Sequence, residues 1–176
     1  MMDLESPVMA QVNPVVSFDD FFREQFTSVA RTAALIVRDR SLGPDIAQEA
    51  FVRAFERWEL MDSSEHARNF VYRAAINLAK SHRRRILNMP LGRGVPSEPR
   101  QDDPTAGLAD WIVVTDALGK LSPRQRACVV LTDYVDLDAA TIARILRIGE
   151  GTVRVHLMRG RRSIRNHLSL ADEEAS

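Results

Sequence analysis

The sequence predicts an all-α protein with two small helical domains joined by a flexible linker. Apolar residues recur at three- and four-residue spacings along most of the chain, the pattern of a helix with one buried face. No segment shows the every-second-residue alternation typical of a strand. Four prolines and little apolar content interrupt the helical pattern between residues 88 and 108. The chain therefore divides into residues 1–16 (a mobile tail), 17–87 (first domain), 88–108 (linker), 109–170 (second domain) and 171–176 (an acidic tail).

The first domain is predicted to contain three helices, with a fourth as the alternative. Ser17 is a suitable N-cap for the first, and the acidic Asp19 and Asp20 favour the positive end of its dipole. Pro44 favours the first turn of the second helix, and a polar loop from Glu59 to Glu65 precedes the third. The apolar residues expected in the core are Phe18, Phe21, Phe22, Phe26, Val29, Ala33, Ile36, Val37, Ile46, Ala47, Ala50, Phe51, Ala54, Phe55, Trp58, Ala67, Phe70, Val71, Ala74, Ala75 and Leu78.

The second domain is predicted to end in a helix–turn–helix over residues 138–168. Ser122, Pro123 and Gln125 have the form of a capping box that begins an earlier helix. Asp138 is a suitable cap for the first helix of the pair, and Gly149 lies in the expected turn. The apolar residues expected in this core are Trp111, Val114, Ala117, Leu118, Leu121, Ala127, Val130, Leu131, Tyr134, Ile142, Ala143, Ile145, Leu146, Val153, Leu157, Ile164 and Leu168.

The charges balance overall but are unevenly placed. Lys and Arg number 24, as do Asp and Glu, which gives a formal net charge of +0. Two cationic clusters, within residues 73–85 and 154–165, contain no acid. Two separate basic surfaces in a neutral chain indicate two contacts with a polyanion such as nucleic acid.

The single cysteine, Cys128, excludes an internal disulfide and a zinc site with several cysteines. Its apolar neighbours predict a small buried side chain rather than a redox switch. No segment has the pattern of a signal peptide or a membrane span. The sequence therefore predicts a cytoplasmic protein with no membrane partner.

The residue pattern gives no support for catalysis. The histidines, His66, His82, His156 and His167, are scattered and lack acids at metal-ligand spacing. No Gly-rich phosphate loop follows a strand, and no nucleophile–base arrangement is evident. We therefore expect no enzyme activity, no cofactor, no metal site and no small-molecule substrate.

The second helix of the helix–turn–helix gives the strongest indication of DNA binding, because this motif places its second helix in the major groove. If Val153 and Leu157 face the core, the opposite face points to solvent. Base-edge contacts are expected from Arg154, Val155, His156 and Met158, and phosphate contacts from Arg159, Arg161, Arg162 and Arg165. The alternative is a solvated basic helix whose cations favour its C-terminal dipole.

The third helix of the first domain gives a second indication. Opposite its apolar face lies a stripe of cations, an amide and an aromatic, which suits contact with DNA: Tyr72, Arg73, Ile76, Asn77, Lys80 and Arg84. The loop from Leu60 to His66 is polar and suits an unstacked base, although a plain surface loop explains it equally well.

The second helix, predicted from Asp45 to Trp58, has a mixed-charge face. Gln48, Glu49, Arg53 and Arg57 form this face. It suits a helix of a protein partner, but a solvated surface explains the composition better.

Residues 45–55 read DIAQEAFVRAF, residues 67–79 read ARNFVYRAAINLA, and LSPRQR at 121–126 precedes TIA at 141–143 and GTVR at 151–154. In this order they resemble the motifs of extracytoplasmic-function (ECF, group 4) sigma factors of the sigma-70 family. Residues 45–55 resemble the polymerase-binding helix, and residues 67–79 resemble the helix that contacts the −10 element. The three motifs between 121 and 154 resemble the domain that binds the −35 element. The resemblance extends from Phe18 to Leu168 and implies that the two domains are sigma region 2 and sigma region 4.

The resemblance implies an RNA polymerase sigma factor that binds core polymerase and directs promoter-specific initiation at −10 and −35 elements. The implied partners are core RNA polymerase (through the coiled coil of its largest subunit and its flap), promoter DNA and an anti-sigma factor. The acidic linker is implied to thread the RNA channel. The polymerase-binding residues it implies are Asp45, Gln48, Glu49, Phe51 and Arg53. The −10 residues are Met61, Asp62, Ser63, Ser64, His66, Arg68, Asn69, Tyr72, Arg73, Asn77, Lys80 and Arg84. The −35 residues are Thr152, Arg154, Val155, His156, Met158, Arg159 and Arg162.

Three positions depart from the family pattern and bear on promoter sequence. Val155 replaces a usual serine, Thr141 a common acid, and Ser81 a frequent aspartate. The alternative identification is a LuxR-type helix–turn–helix regulator that acts without polymerase, because residues 121–125 and 152–157 also resemble its effector domain. Such regulators usually have a sensing domain with strands, and the first half of this chain shows no strand pattern.

Overall fold

A computed structural model describes residues 16–87 and 108–174 of the chain. Within these two ranges the protein forms seven α-helices and no strand. They are α1 (Phe18–Val37), α2 (Leu42–Phe55), α3 (Ser64–Leu87), α4 (Leu108–Gly119), α5 (Pro123–Val129), α6 (Ala139–Leu146) and α7 (Glu150–Glu174). A 3₁₀ turn (Trp58–Leu60) follows α2, and a π-helical turn (Val130–Tyr134) continues α5. The all-α prediction is confirmed, while the predicted N-terminal tail and linker fall almost entirely outside the described residues.

The predicted helix caps are present. The Ser17 hydroxyl accepts a hydrogen bond from the Asp20 amide at the start of α1. Ser122 and Gln125 form the complete capping box at α5, each side chain accepting from the other residue's amide. The Asp138 carboxylate accepts from the Thr141 amide at 2.7 Å and caps α6. These local bonds satisfy amides that have no partner within the helix, which is why the sequence locates these ends well.

Other local predictions were wrong. Helix α2 ends at Phe55, and the chain then makes a 3₁₀ turn where a polar loop was expected. Phe55, Val114, Tyr134 and Leu168 are exposed instead of lying in the core. Gly149 lies between α6 and α7, as predicted, and Arg147, with a φ of 54°, adopts the left-handed conformation at the end of α6.

An aromatic cluster fills the core of the first domain, where α1, α2 and α3 pack together. Phe51 lies at its centre with only 1% exposure, and the Phe22 ring centroid is 5.0 Å away. The ring of Trp58 packs within 5.2 Å of Phe21 from the 3₁₀ turn. This packing sets the orientation of α2 and α3, whose outer faces contain the predicted contact residues.

Helix α7 packs closely on α5 in the second domain. A Cβ atom at Gly160 would lie 3.0 Å from Val129 Cγ2, so the absence of a side chain permits this approach. Val153 and Cys128 are fully buried. Burial raises the pKa of the Cys128 thiol to about 11, which agrees with the prediction of a small buried side chain.

The two domains contact each other through arginine side chains. Arg126 of α5 donates to the Ile36 carbonyl at the end of α1 (3.0 Å). In the opposite direction, Arg73 of α3 donates to carbonyls at the end of α6. An ion pair between Glu65 and Arg144 at 2.7 Å adds a third contact.

Candidate nucleic-acid interface

Helix α7 presents a broad outward face at the second helix of the helix–turn–helix. Val153 points into the core, while the side chains on the other side of the helix are exposed: Thr152, Arg154, Val155, Met158, Arg159, Arg162 and Arg165. The predicted orientation of this helix is therefore correct. His156 is only half-exposed, and its Nδ1 is buried without a hydrogen-bond partner among the described residues.

Two cations of α7 already have acidic partners. Arg154 pairs with Glu150 one turn earlier at 3.3 Å, and both side chains are exposed. Arg161 pairs with Asp133 of the π-helical turn, which raises the pKa of the arginine. Exposed i,i+4 ion pairs contribute little to stability, so Arg154 can leave Glu150 and bind a ligand. Arg161 is better assigned to holding α7 on its neighbour, since its partner lies on another element.

The outward face of α2 combines charged groups with exposed apolar side chains. Asp45, Gln48, Glu49 and Arg53 are exposed, and the Glu49–Arg53 pair measures 3.0 Å. On the same helix Phe55 is 63% exposed and Val52 is about half exposed. Helical spacing alone assigned Phe55 to the core, so this apolar area was not predicted. An apolar patch beside charges is typical of a protein interface.

Several predicted contact residues lie inside the protein. Phe51, Met61, Asn69, Tyr72 and Ile76 are all less than 9% exposed. The Tyr72 hydroxyl makes a 2.9 Å hydrogen bond with Ser28, and burial raises its pKa. Phe51, Met61, Tyr72 and Ile76 belong to the hydrophobic core and Asn69 is buried beside it, so we correct their assignment as direct contacts.

A groove of about 420 Å³ lies between α2 and α3 on the surface of the first domain. Its walls include Arg53, Arg57, Phe70, Arg73 and Asn77. The Arg57 guanidinium lies 5.8 Å from the centre of the Phe70 ring. Phe70 is only partly buried, so its ring offers a face on which a base can stack, beside three cations and one acid, Glu56. Spacing alone placed Phe70 in the core, and Arg57, four residues after Arg53, was the signal for a basic groove.

Part of the predicted stripe on α3 is covered by the second domain. Arg73 donates to the Arg144 carbonyl at 2.8 Å and the Ile145 carbonyl at 3.0 Å, and burial lowers the pKa of the arginine. Lys80 is half-buried nearby, and its pKa is also lowered by burial. Asn77 and Arg84 remain exposed.

The loop before α3 is ordered by its own polar groups. The Ser63 hydroxyl accepts from the His66 amide at 3.1 Å and donates to Asp62. The His66 ring lies 3.0 Å from the same carboxylate. The hydrogen bond from Ser63, followed by that from His66, lowers the pKa of Asp62. Asp62 and His66 are exposed, and Ser63, Ser64 and Arg68 are half-buried at the start of the helix.

The described ranges contain neither a cluster of metal ligands nor a helix that could span a membrane. Residues 16–87 and 108–174 contain no group of three or more histidine, cysteine, aspartate or glutamate side chains that could hold a metal ion. None of the helices in these ranges is long and apolar enough to cross a membrane.

Comparisons with known proteins give matches to both domains. Residues 21–86 match the family model for Sigma-70 region 2, and residues 112–164 match the one for Sigma-70, region 4. The chain is 29% identical over 163 residues to the RNA polymerase sigma-E factor of Streptomyces coelicolor, covering 92% of this chain and 91% of that protein. It is 30% identical over 141 residues to the ECF RNA polymerase sigma factor SigL of Mycobacterium tuberculosis, covering 77% and 79%.

Two solved structures have a similar fold. One is the sigma factor RpoE in complex with the anti-sigma factor NepR from Bartonella quintana, with a TM-score of 0.71, 17% identity and coverage of 86% of this chain and 96% of that one. The other is CnrH in complex with the cytosolic domain of CnrY, with a TM-score of 0.68, 20% identity and coverage of 87% and 88%.

Proposed function

This chain belongs to the extracytoplasmic-function sigma factors of the sigma-70 family and is an RNA polymerase sigma factor, and we propose which of its surfaces bind polymerase and which bind the promoter. The observation that supports this assignment best is the outward face of α7, where exposed cations surround the turns that such a motif places in a major groove. The LuxR-type alternative is not favoured, because residues 21–86 match sigma region 2.

The second domain binds the −35 element through α7. Thr152, Arg154, Val155 and Met158 lie on its first turns and read base edges, while Arg159 and Arg162 hold phosphates. His156 has a smaller role, because it is half-buried.

Core polymerase binds the outward face of α2. Asp45, Gln48, Glu49 and Arg53 supply polar contacts, and the exposed Val52 adds apolar area that a partner helix would cover. The second domain contacts the polymerase flap as well, in line with the family. The protein has no catalytic activity in this scheme and acts in the cytoplasm, where polymerase is.

The −10 strand binds the groove between α2 and α3 and the loop before α3. Phe70 stacks an unpaired base, and Arg57 holds the backbone, joined by Arg73 once the domains separate. Asn77 adds a base or backbone hydrogen bond. Exposed polar groups of the loop, Asp62 and His66, contact the neighbouring nucleotide. Stacking captures a base that thermal opening has exposed, which favours strand separation without ATP.

The domain contacts must open before both promoter elements are bound. Arg73 uses its donors on the end of α6, so it becomes available to the −10 strand only when the two domains separate. Once polymerase holds them apart, two modest DNA contacts in one chain gain strength from their effective concentration. An anti-sigma factor that keeps the domains together would oppose this step, and the structural neighbour RpoE from Bartonella quintana is in complex with the anti-sigma factor NepR.

Run-off transcription with purified core polymerase tests the proposal. We expect the full chain to direct initiation from a discrete promoter that core polymerase alone ignores. A protein that shifts duplex DNA by itself but gives no promoter-specific transcript would support the LuxR-type reading instead.

Replacing Asn77 with alanine is expected to reduce promoter opening about three- to tenfold, the effect of losing one or two hydrogen bonds to the strand. Permanganate reactivity of unpaired thymines measures the open complex. Affinity for core polymerase, measured by competition with a labelled chain, should not change, because Asn77 lies on α3 and not on the outward face of α2. A loss of core affinity would contradict the face assignment.

Replacing Arg154 with alanine is expected to relax the sequence preference at one −35 position and to cost about 1–3 kcal/mol there. The same change at Arg162, assigned to a phosphate, should weaken binding equally for all −35 sequences. Competition binding of holoenzyme to single-base promoter variants distinguishes the two. A uniform loss for the Arg154 variant would make this residue a phosphate contact.

A further inference from the structure

The outward face of α7 has an apolar centre with cations around it. Val155 follows the buried Val153 by two residues, so at about 100° per residue it lies almost opposite the core. Val155 is 39% exposed, and Met158, one turn later on the same face, is 64% exposed. Neither side chain is part of the hydrophobic core formed by the described residues.

The surrounding cations indicate what covers this patch. Arg154 and Arg159 flank it, and Arg162 follows Met158 by one turn. A protein or lipid surface would leave these arginines beside an apolar partner, whereas duplex DNA offers phosphates at the rim of a groove and base edges at its floor. The patch therefore faces base edges when the cations hold the backbone.

Only one base edge in the major groove has an apolar group. Thymine has a C5-methyl group there, while the edges of guanine, adenine and cytosine present hydrogen-bond donors or acceptors. Valine and methionine side chains are poor hydrogen-bond partners for those polar groups, since valine has no donor or acceptor and a thioether is a weak acceptor. We propose that Val155 and Met158 contact the C5-methyl group of a thymine in the −35 element and thereby select it; this rests on the proposed function of α7.

Removing the contacted methyl group is expected to lower promoter affinity by a small amount, and only at the contacted position. Replacing thymidine by deoxyuridine removes the methyl group and leaves every hydrogen-bonding atom in place. Taking one methyl-sized group out of water is worth about a fourfold change in affinity. The loss should be confined to one thymine or two adjacent thymines, on either strand.

The experiment uses holoenzyme reconstituted from the full chain and core polymerase. Promoters are first selected from a library randomised in the −35 region, and each thymidine of the selected element is then replaced by deoxyuridine in turn. Competition binding measures the affinity lost at each position. We expect a loss of about fourfold at the contacted thymine for the original protein. Val155→Ala should remove most of this dependence on the methyl group, and Met158→Ala part of it, as in a double-mutant cycle.

Leu168→Ala is the matched control. Leu168 is on the same helix and is also 39% exposed, but it lies more than three turns beyond Val155. Its variant should keep the full methyl dependence, so a general effect of shortening an exposed apolar side chain would be recognised.

Failure of the methyl contact and failure of the proposed function of α7 give different results in this experiment. Three results overturn the methyl contact alone, provided that initiation is promoter-specific. Deoxyuridine has no effect, or its effect survives in both Val155→Ala and Met158→Ala, or the selected element contains no thymine. Failure to obtain any promoter-specific initiation overturns the proposed function and the contact with it.

Discussion

Replacing Arg126 with methionine is expected to lower the free energy of unfolding by about 3 kcal/mol or more and to loosen the contact between the domains. The Arg126 side chain is 2% exposed. Its guanidinium donates to the carbonyls of Leu118 (2.8 Å), Ile36 (3.0 Å) and Leu121 (3.1 Å). Methionine fills a similar space without donors, so these three buried acceptors would lose a charged partner.

The geometry explains why one arginine has this effect. Ile36 and Leu118 lie in the last turns of α1 and α4, where carbonyls have no partner within the helix and carry the negative end of the dipole. Arg126 has no ion pair within the described residues, so these carbonyls take the place of a carboxylate. Burial, together with repulsion from Arg83 and Arg38, lowers the pKa of Arg126 to about 10, and the group stays protonated at neutral pH.

Arg124→Met is the control for this prediction. Arg124 is exposed on the same short helix, and its replacement should change the free energy of unfolding by less than about 0.5 kcal/mol. Urea unfolding measures stability, and small-angle X-ray scattering of the folded variants measures the separation of the domains. Equal stability of the two variants would show that the three carbonyl bonds are not present in solution.

A further variant separates domain contact from stability. Arg73 is less buried than Arg126 and, within the described residues, donates only to the end of α6 in the other domain. Arg73→Met should therefore increase the domain separation with a smaller loss of stability. The same residue is assigned to the −10 strand, so its loss has opposing effects on promoter opening, which is why Asn77 is the cleaner probe of that surface.

Local signals in the sequence were enough to predict the helix caps. Ser122 and Gln125, or Asp138 and Thr141, are three residues apart, so the partners of each bond are visible in the sequence itself. The outward orientation of Arg154 followed from periodicity for the same reason. These short-range patterns were also sufficient to predict the all-α class.

Contacts between distant parts of the chain were not predictable in this way. Arg126 and Ile36 are 90 residues apart, and the acceptor is a backbone carbonyl that no side-chain pattern marks. Periodicity placed Phe55 in the core and Phe70 with it, because spacing identifies a face of a helix but not how far a neighbour covers that face. The groove beside Phe70 exists only once α2 and α3 are packed.

Replacing Gly43 with alanine is expected to destabilise the first domain by about 2–3 kcal/mol, although the same change in a helix normally stabilises by up to about 1 kcal/mol. A Cβ atom at Gly43 would lie 2.5 Å from the Ala30 carbonyl oxygen and 2.8 Å from Ala34 Cβ. Neither neighbour can rotate away, so α1 and α2 would have to move apart. That movement would tilt the outward face of α2 and weaken binding to core polymerase.

The sign of the change makes Gly43→Ala diagnostic when it is compared with Gly151→Ala. Gly151 is also in the first turn of a helix, α7, but a Cβ atom there meets nothing within 4 Å. Its variant should be as stable as the original protein or slightly more stable, because only helix propensity acts. Thermal and urea unfolding of the two variants measure the difference. If both glycines tolerate alanine equally, then α1 and α2 do not approach this closely, and the orientation of the proposed polymerase-binding face must differ from the one described.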